Sequence, residues 1–152
     1  MQDEFRRFFR ENFPRVFAYF YAQSGSIAQA KELASRTFEH ANEEWRGSRA
    51  PPLRRPSLFV IARAVRKEWM DGTAEAGEEV SLARGSNFML GRPDLGPFVS
   101  RLDPLDREIV SLRFDAGLNY GEIGEIVGLT RVEVGRRIVE AMRRLTALKS
   151  DA

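Results

Sequence analysis

The sequence has 152 residues, no cysteine, and no apolar run near the roughly 20 residues that a membrane helix needs. With 43% hydrophobic and 30% charged residues, it predicts one medium-sized or two small globular domains rather than a disordered chain. The composition excludes disulfide bonds and thiol chemistry and favours a reducing cytoplasm. The first ten residues are charged and aromatic, which is not the pattern of a signal peptide.

Residues 1–71 are expected to form a first domain of three helices, at about 5–24, 27–47 and 57–72. Apolar residues, mostly phenylalanines, recur every three or four positions from Phe5 to Phe20, which is the period of a buried helical stripe. Ser26 followed by Gln29 predicts the N-terminal cap of the second helix. Three prolines and three arginines make residues 48–56 a predicted loop.

Residues 72–97 differ from the sequence on either side. They contain five glycines, two prolines and several acidic residues, with little apolar periodicity. This composition predicts a flexible linker, with a short ordered patch around residues 88–90.

Residues 98–152 predict a second domain with three capped helices. Asp103 precedes a proline, and both Asn119 and Thr130 are followed three residues later by glutamate, so each is an expected N-cap. Gly128 separates a short helix from a long one, which is the layout of a helix-turn-helix. The fold predicted from the sequence is therefore all-α: two small helical domains joined by a flexible linker, with a C-terminal helix-turn-helix.

The charge distribution favours nucleic acid as the partner of the last helix. Residues 130–152 have six basic and three acidic residues, whereas residues 98–129 have three basic and six acidic. All but three of the 24 basic residues are arginine, which can hold a phosphate or a guanine edge through two parallel hydrogen bonds. The alternative is a helical hairpin with a solvated charged face.

Several segments resemble extracytoplasmic-function sigma factors of the sigma-70 family. In the second domain these are LDPLDREIVSLRF at 102–114 and YGEIGEIVGLT at 120–130, followed by Val134 and Arg137. In the first domain they are FPRVFAYF at 13–20, AKELASRTF at 30–38 and PSLFVIAR at 56–63. The second-domain pattern also resembles the DNA-binding domain of LuxR-type regulators, so by itself it indicates DNA binding and not a sigma factor. The first-domain segments, which occur in the order found in sigma factors, favour the sigma family.

The resemblance implies a transcription initiation factor without enzymatic activity, cofactor or metal, whose partners are core RNA polymerase, promoter DNA and an anti-sigma factor or other protein regulator. The residues expected to contact the upstream promoter element are Thr130, Arg131, Glu133, Arg136 and Arg137. Those expected at the downstream element, where the strands separate, are Arg54, Arg55, Arg63, Arg66, Lys67 and Trp69. Those expected to contact polymerase are Glu32, Arg36, Phe38 and Glu39.

Simpler roles compete with some of these assignments. Phe38 and Trp69 are also candidates for core packing, and the basic residues of the third helix could be a solvated surface. His40, the only histidine, has Glu43 and Glu44 on the same helical face, but one histidine without further ligands predicts a surface residue rather than a metal site.

Two other functions stay open at this stage. Asp71-Gly72 stand where the sigma family has a pair of arginines, which would suit a sigma-like decoy that binds an anti-sigma factor. The other is a helix-turn-helix regulator whose first domain is an unrelated helical sensor.

Overall fold

The computed structural model describes residues 2–47, 53–75 and 91–152, and within these ranges the chain contains helices and no strands. The helices are α1 (Gln2–Ser24), α2 (Ile27–Gly47), α3 (Arg55–Glu75), α4 (Pro104–Phe114), α5 (Tyr120–Val127) and α6 (Arg131–Ser150), with a 3-10 helix at Gly96–Arg101 before α4. The predicted all-α fold with its C-terminal helix-turn-helix is confirmed. Among the described residues, no helix is both long and apolar enough to cross a membrane.

Helices α1, α2 and α3 pack together through the aromatic residues of α1. Val16, Tyr19 and Phe20 are fully buried, whereas Phe9, expected in the buried stripe, is 37% exposed. Phe5 and Phe8 lie near the other end of α1, and both contact the ring of Trp45 on α2. The bundle therefore encloses one face of α1, and aromatic contacts extend that face along the helix.

Two prolines lie within helices, and one of them changes where a helix begins relative to the sequence prediction. Pro14 lies inside α1, where it removes one backbone donor without ending the helix. Pro56 lies in the first turn of α3, where its missing N–H would have no partner in any case, so α3 begins at Arg55, inside the predicted loop.

The helices on either side of the predicted linker, residues 72–97, extend into it at both ends. Helix α3 continues past Gly72 to Glu75, and the 3-10 helix begins at Gly96. The 3-10 helix is held because Leu95, Val99 and Leu102 pack in a small apolar cluster with Val110, Ala141 and Leu145 of α4 and α6. Residues 76–90, including the patch expected at 88–90, lie outside the described residues.

The two helical domains pack against each other in this structure. Helix α3 lies on α5, and α1 contacts both α3 and α4. Buried residues of the first domain, such as Phe59 and Ala62, belong to the same apolar cluster as Ile109, Ile123 and Ile126 of the second. We call the contact of α1 and α3 with α4 and α5 the domain seam.

Candidate nucleic-acid interface

Helices α5 and α6 form a helix-turn-helix, and each of them begins with a reciprocal cap. The Oδ1 atom of Asn119 accepts from the Glu122 amide at 2.8 Å, and the Glu122 carboxylate accepts from the Asn119 amide at 3.1 Å. Thr130 and Glu133 make the same pair of bonds at the start of α6, both at 3.1 Å. Both capping boxes predicted from the sequence are present, and they fix where α5 and α6 begin.

Two glycines set the turn between the helices. Gly128 ends α5 with a φ of +78°, in the left-handed region that favours glycine. Gly124 lies inside α5, and a Cβ atom on it would stand 2.4 Å from the backbone oxygen of Leu129. The turn thus folds back so closely that only a hydrogen fits at position 124.

Helix α6 has an apolar face that packs against the rest of the domain. The opposite face of its first two turns is exposed. Val134 and Ile138 are buried against the rest of the domain. Arg131 and Arg136 are exposed, and neither forms an ion pair within the part of the chain that the structure describes. Val132, 67% exposed, lies one helical turn before Arg136. The first two turns of α6 therefore present two arginines and one apolar side chain, the residue types that read base edges and the thymine methyl group.

Three of the residues predicted to contact the upstream element have roles inside the domain. Thr130 and Glu133 form the cap of α6. Arg137 donates to the Asp106 carboxylate at 3.0 Å, joining α6 to α4. Val132 was not predicted, although its place off the Val134–Ile138 stripe of the sequence could have indicated its exposure.

Carboxylates at the helix starts have shifted pKa values with distinct causes. The hydrogen bond from the Thr130 backbone amide lowers the pKa of Glu133. The Asp106 backbone amide likewise lowers the pKa of Asp103, the N-cap of α4. Burial raises the pKa of Asp106 and outweighs the hydrogen bond from Arg137, which lowers it.

The Glu133 shift predicts a pH dependence of stability. Because its pKa is lower in the folded state, its contribution is present above the ordinary glutamate pKa and is lost as pH falls through the folded value. Glu133→Gln keeps an amide oxygen for the cap but does not titrate. The difference in Tm between the native protein and this variant, followed by circular dichroism, should shrink from pH 7 towards pH 3; a constant difference would contradict the prediction.

The basic residues predicted for the downstream element divide into two groups. Arg63 binds across the domain seam: its Nε donates to Glu108 Oε1 at 2.7 Å and its Nη1 to the Ile126 backbone oxygen at 2.9 Å. Arg54 and Arg55 also reach across the seam, to Glu125 and Glu122, both at 3.4 Å.

The second group consists of Arg66, Lys67 and Trp69, which contact the first domain or solvent. Arg66 donates to the side-chain oxygen of Gln23 at 3.2 Å. Lys67 is exposed, and Trp69 is half-buried and packs against the main apolar cluster. Arg54, Arg55 and Arg63 thus share one surface, whereas Trp69 lies with the core.

The residues predicted to contact polymerase lie along α2. Glu32 and Arg36 form an ion pair at 3.1 Å one turn apart, and Glu39 is exposed. Phe38 is buried and contacts the rings of Phe9 and Phe13 on α1. The helix therefore presents charged side chains outward while Phe38 fixes it to α1.

The contacts of the single histidine, His40, do not resemble those of a metal ligand. His40 is exposed and lies 4.0 Å from the Glu43 carboxylate on the same helix. In the described ranges, no group of three or more potential ligand residues could hold a metal ion.

Comparison with known proteins gives a family-model match within the second domain and a similar fold for the whole chain. The family model described as Sigma-70, region 4 matches residues 99–147. Among solved structures, the chain is similar to the sigma factor RpoE from Bartonella quintana, determined in complex with the anti-sigma factor NepR. The TM-score is 0.70 and the identity 21%, over 95% of this chain and 96% of that one. No curated protein matches the sequence. Residues 99–147 of the second domain are therefore similar to sigma-70 region 4, and the chain as a whole shares the fold of that solved sigma factor, in agreement with the resemblance of the sequence segments.

Proposed function

We propose that this protein is a transcription initiation factor of the extracytoplasmic-function sigma type, which binds core RNA polymerase in the cytoplasm and directs it to specific promoters. It has no catalytic activity of its own. The observation that carries the proposal is the match of residues 99–147 to sigma-70 region 4, on a helix-turn-helix whose second helix exposes Arg131 and Arg136. The structural likeness to a sigma factor extends over both domains, which favours this function over a regulator with an unrelated sensor domain.

In this proposal, the first turns of α6 enter the major groove at the upstream promoter element. Arg131 and Arg136 contact base edges or phosphates, and Val132 contacts an apolar part of a base such as the thymine methyl group. Thr130 and Glu133 keep the start of α6 in place, and their cap orients these side chains. Arg137 holds α6 against α4 through Asp106 and could place a phosphate only by releasing that carboxylate.

The remaining sites rest on the sigma resemblance and on charge. Arg54, Arg55 and Arg63, with Arg66 and Lys67 beside them, suit the backbone of the downstream element. The charged outer face of α2, with Glu32, Arg36 and Glu39, suits the polymerase. An anti-sigma factor as a further partner is supported by the similar sigma factor, which was solved with one.

The first test combines the purified protein with core RNA polymerase from its host. A complex that comigrates on gel filtration and supports run-off transcription from a selected promoter is the expected result. A complex without transcription would favour the sigma-like decoy, the alternative suggested by Asp71-Gly72 in place of the family's two arginines. DNA binding without any polymerase complex would overturn the sigma assignment.

A second test concerns the recognition surface. Arg136→Ala is expected to weaken binding to duplex promoter DNA by about tenfold, since one charged contact to a base or phosphate is lost. If the contact is to a phosphate, the slope of log K against log salt also becomes shallower by about 0.9. Arg46→Ala, which removes an exposed arginine at the end of α2, is the matched control and should leave DNA affinity unchanged. Equal effects of the two variants would contradict a role for α6.

A further inference from the structure

A small cavity lies where α1, α3 and α4 meet the 3-10 helix that precedes α4. Its volume is about 20 Å³, which is enough for one water molecule and too small for a larger ligand. Most of the residues that line it carry polar or charged groups. Those that can hydrogen-bond into it are Gln23 of α1, Arg66 of α3 and Arg107, Glu108, Ser111 and Asp115 of α4.

The Ser111 hydroxyl is the most unusual group in the cavity wall. Ser111 is 5% exposed, and its hydroxyl has no hydrogen-bond partner among the described residues. A hydroxyl inside a helix commonly donates to the carbonyl one turn earlier, as Thr37 does to Leu33 at 2.8 Å. Because a buried hydroxyl without a partner is costly, its place at the cavity wall indicates a ligand that hydrogen-bonds to it.

Helix α4 supplies one continuous polar wall. Arg107, Ser111 and Asp115 follow one another at intervals of four residues, so their side chains lie one above the other on one face of the helix. Glu108 stands beside them on the same face. The Ser111 hydroxyl is therefore flanked along its own helix by a guanidinium group on one side and by a carboxylate on the other.

Glu108 has room for a further donor. Its Oε1 accepts from the Tyr19 hydroxyl at 3.2 Å and from Arg63 Nε at 2.7 Å. Burial raises the pKa of Tyr19, so this hydroxyl keeps its proton and acts as the donor. Within the described ranges, Oε2 accepts only a long bond of 3.4 Å from Arg63. Since a carboxylate can accept about four hydrogen bonds, Oε2 can accept another.

The facing helices contribute donors and a route from solvent. Arg66 Nε donates to the side-chain oxygen of Gln23 at 3.2 Å, and the guanidinium group has further N–H donors on its terminal nitrogens. Gln23 and Arg66 are only half-buried, as is Arg107 on the other wall. Water can therefore reach the cavity at its rim, whereas the Ser111 hydroxyl lies at its buried end.

The charges around the cavity favour a neutral molecule over an ion. Two arginines, at 66 and 107, and two carboxylates, at 108 and 115, line it. These charges balance, so neither an anion nor a cation gains from the site as a whole. A molecule that both donates and accepts suits donors on one wall and acceptors on the other.

We propose that this cavity binds one structural water molecule, which hydrogen-bonds to the Ser111 hydroxyl and is shared with Glu108 of α4 and Arg66 of α3. The water belongs to the hydrogen-bond network that joins the two domains, and it satisfies the hydroxyl that no protein group reaches. This inference goes beyond the proposed function, because it depends on the packing of the helices and not on what the protein binds.

Removing the hydroxyl gives a result whose sign depends on the water. Ser111→Ala deletes one partner of the bound water and should lower the Tm by about 2–4 °C relative to a matched control. The control is Ser35→Ala, at an exposed position inside α2, which includes the same gain in helix propensity. If the hydroxyl had no water, its removal would relieve a buried polar group, and the Tm would equal or exceed that of the control.

A high-resolution crystal structure of the native protein identifies the ligand directly. We expect density for an ordered oxygen about 2.5–3.0 Å from Ser111 Oγ. A cavity without such density, or a Ser111 hydroxyl bonded to the Arg107 carbonyl oxygen in its place, would overturn the inference even if Ser111→Ala lowers the Tm. Polymerase and DNA binding are measured separately, so the failure of this inference leaves the proposed function standing, and the reverse also holds.

Discussion

Gly124→Ala is expected to lower the free energy of unfolding by about 3 kcal/mol, because the new methyl group has no space and the turn must move. Its Cβ would lie 2.4 Å from the Leu129 backbone oxygen, and backbone cannot rotate away as a flexible side chain can. The turn is also held by hydrogen bonds, because the Gly128 and Leu129 amides both donate to the Gly124 oxygen, at 2.8 and 3.0 Å. Moving the turn away from the new methyl group would weaken these two bonds. Urea unfolding followed by circular dichroism measures the change.

Gly121→Ala is the matched control for this prediction. It makes the same substitution in the same helix, but the added Cβ lies 3.4 Å from the Asn119 side-chain oxygen, an ordinary contact. Alanine is a better helix former than glycine, so this variant should be neutral or more stable by up to about 1 kcal/mol. Equal losses in the two variants would mean that helix α5 and its turn are not as close as the structure has them. The Gly124 variant should also lose DNA binding, because the turn positions α6.

Glu108→Ala is the second large effect, with an expected loss of about 2–3 kcal/mol in the free energy of unfolding. The substitution leaves the Tyr19 hydroxyl without its acceptor inside the protein and removes the carboxylate from Arg63. Since Arg63 is partly exposed and keeps its bond to the Ile126 oxygen, the loss stays below that of a fully buried ion pair. Chemical unfolding and the Tm both report it.

Glu140→Ala provides the comparison on an exposed ion pair. Glu140 and Arg143 are 3.4 Å apart, and both side chains are more than two-thirds exposed. Its loss should change stability by no more than about 0.5 kcal/mol. A double-mutant cycle of Glu108→Ala with Arg63→Met should give a coupling of about 1 kcal/mol or more; additive effects would contradict a direct contact between the two side chains.

Local features of the fold could be predicted from the sequence because their causes are local. Asp103, Asn119 and Thr130 were identified as caps from residues within three positions, and the structure has all three. Helix α3 begins two residues before the predicted start, because Pro56 lies in the first helical turn, where a missing N–H needs no partner.

The domain seam could not be predicted in the same way. Arg63 and Glu108 are 45 positions apart, and Tyr19 and Glu108 are 89 apart, so no periodicity or spacing joins them. The sequence indicated a basic strip on α3 but not that carboxylates of the second domain lie on it. Similarly, Arg137 is among the residues predicted to contact the upstream element, while its partner Asp106 is 31 positions away. Which exposed arginines are available to DNA depends on tertiary contacts of this kind.

The composition of the domain seam determines which cellular signals can act on it. Its cations are arginines, and the only histidine of the chain, His40, lies on the exposed face of α2. The chain has no thiol that could be oxidised. The seam therefore contains neither a histidine nor a cysteine, and its arginine–glutamate contacts respond to other charged groups and to salt rather than to redox chemistry.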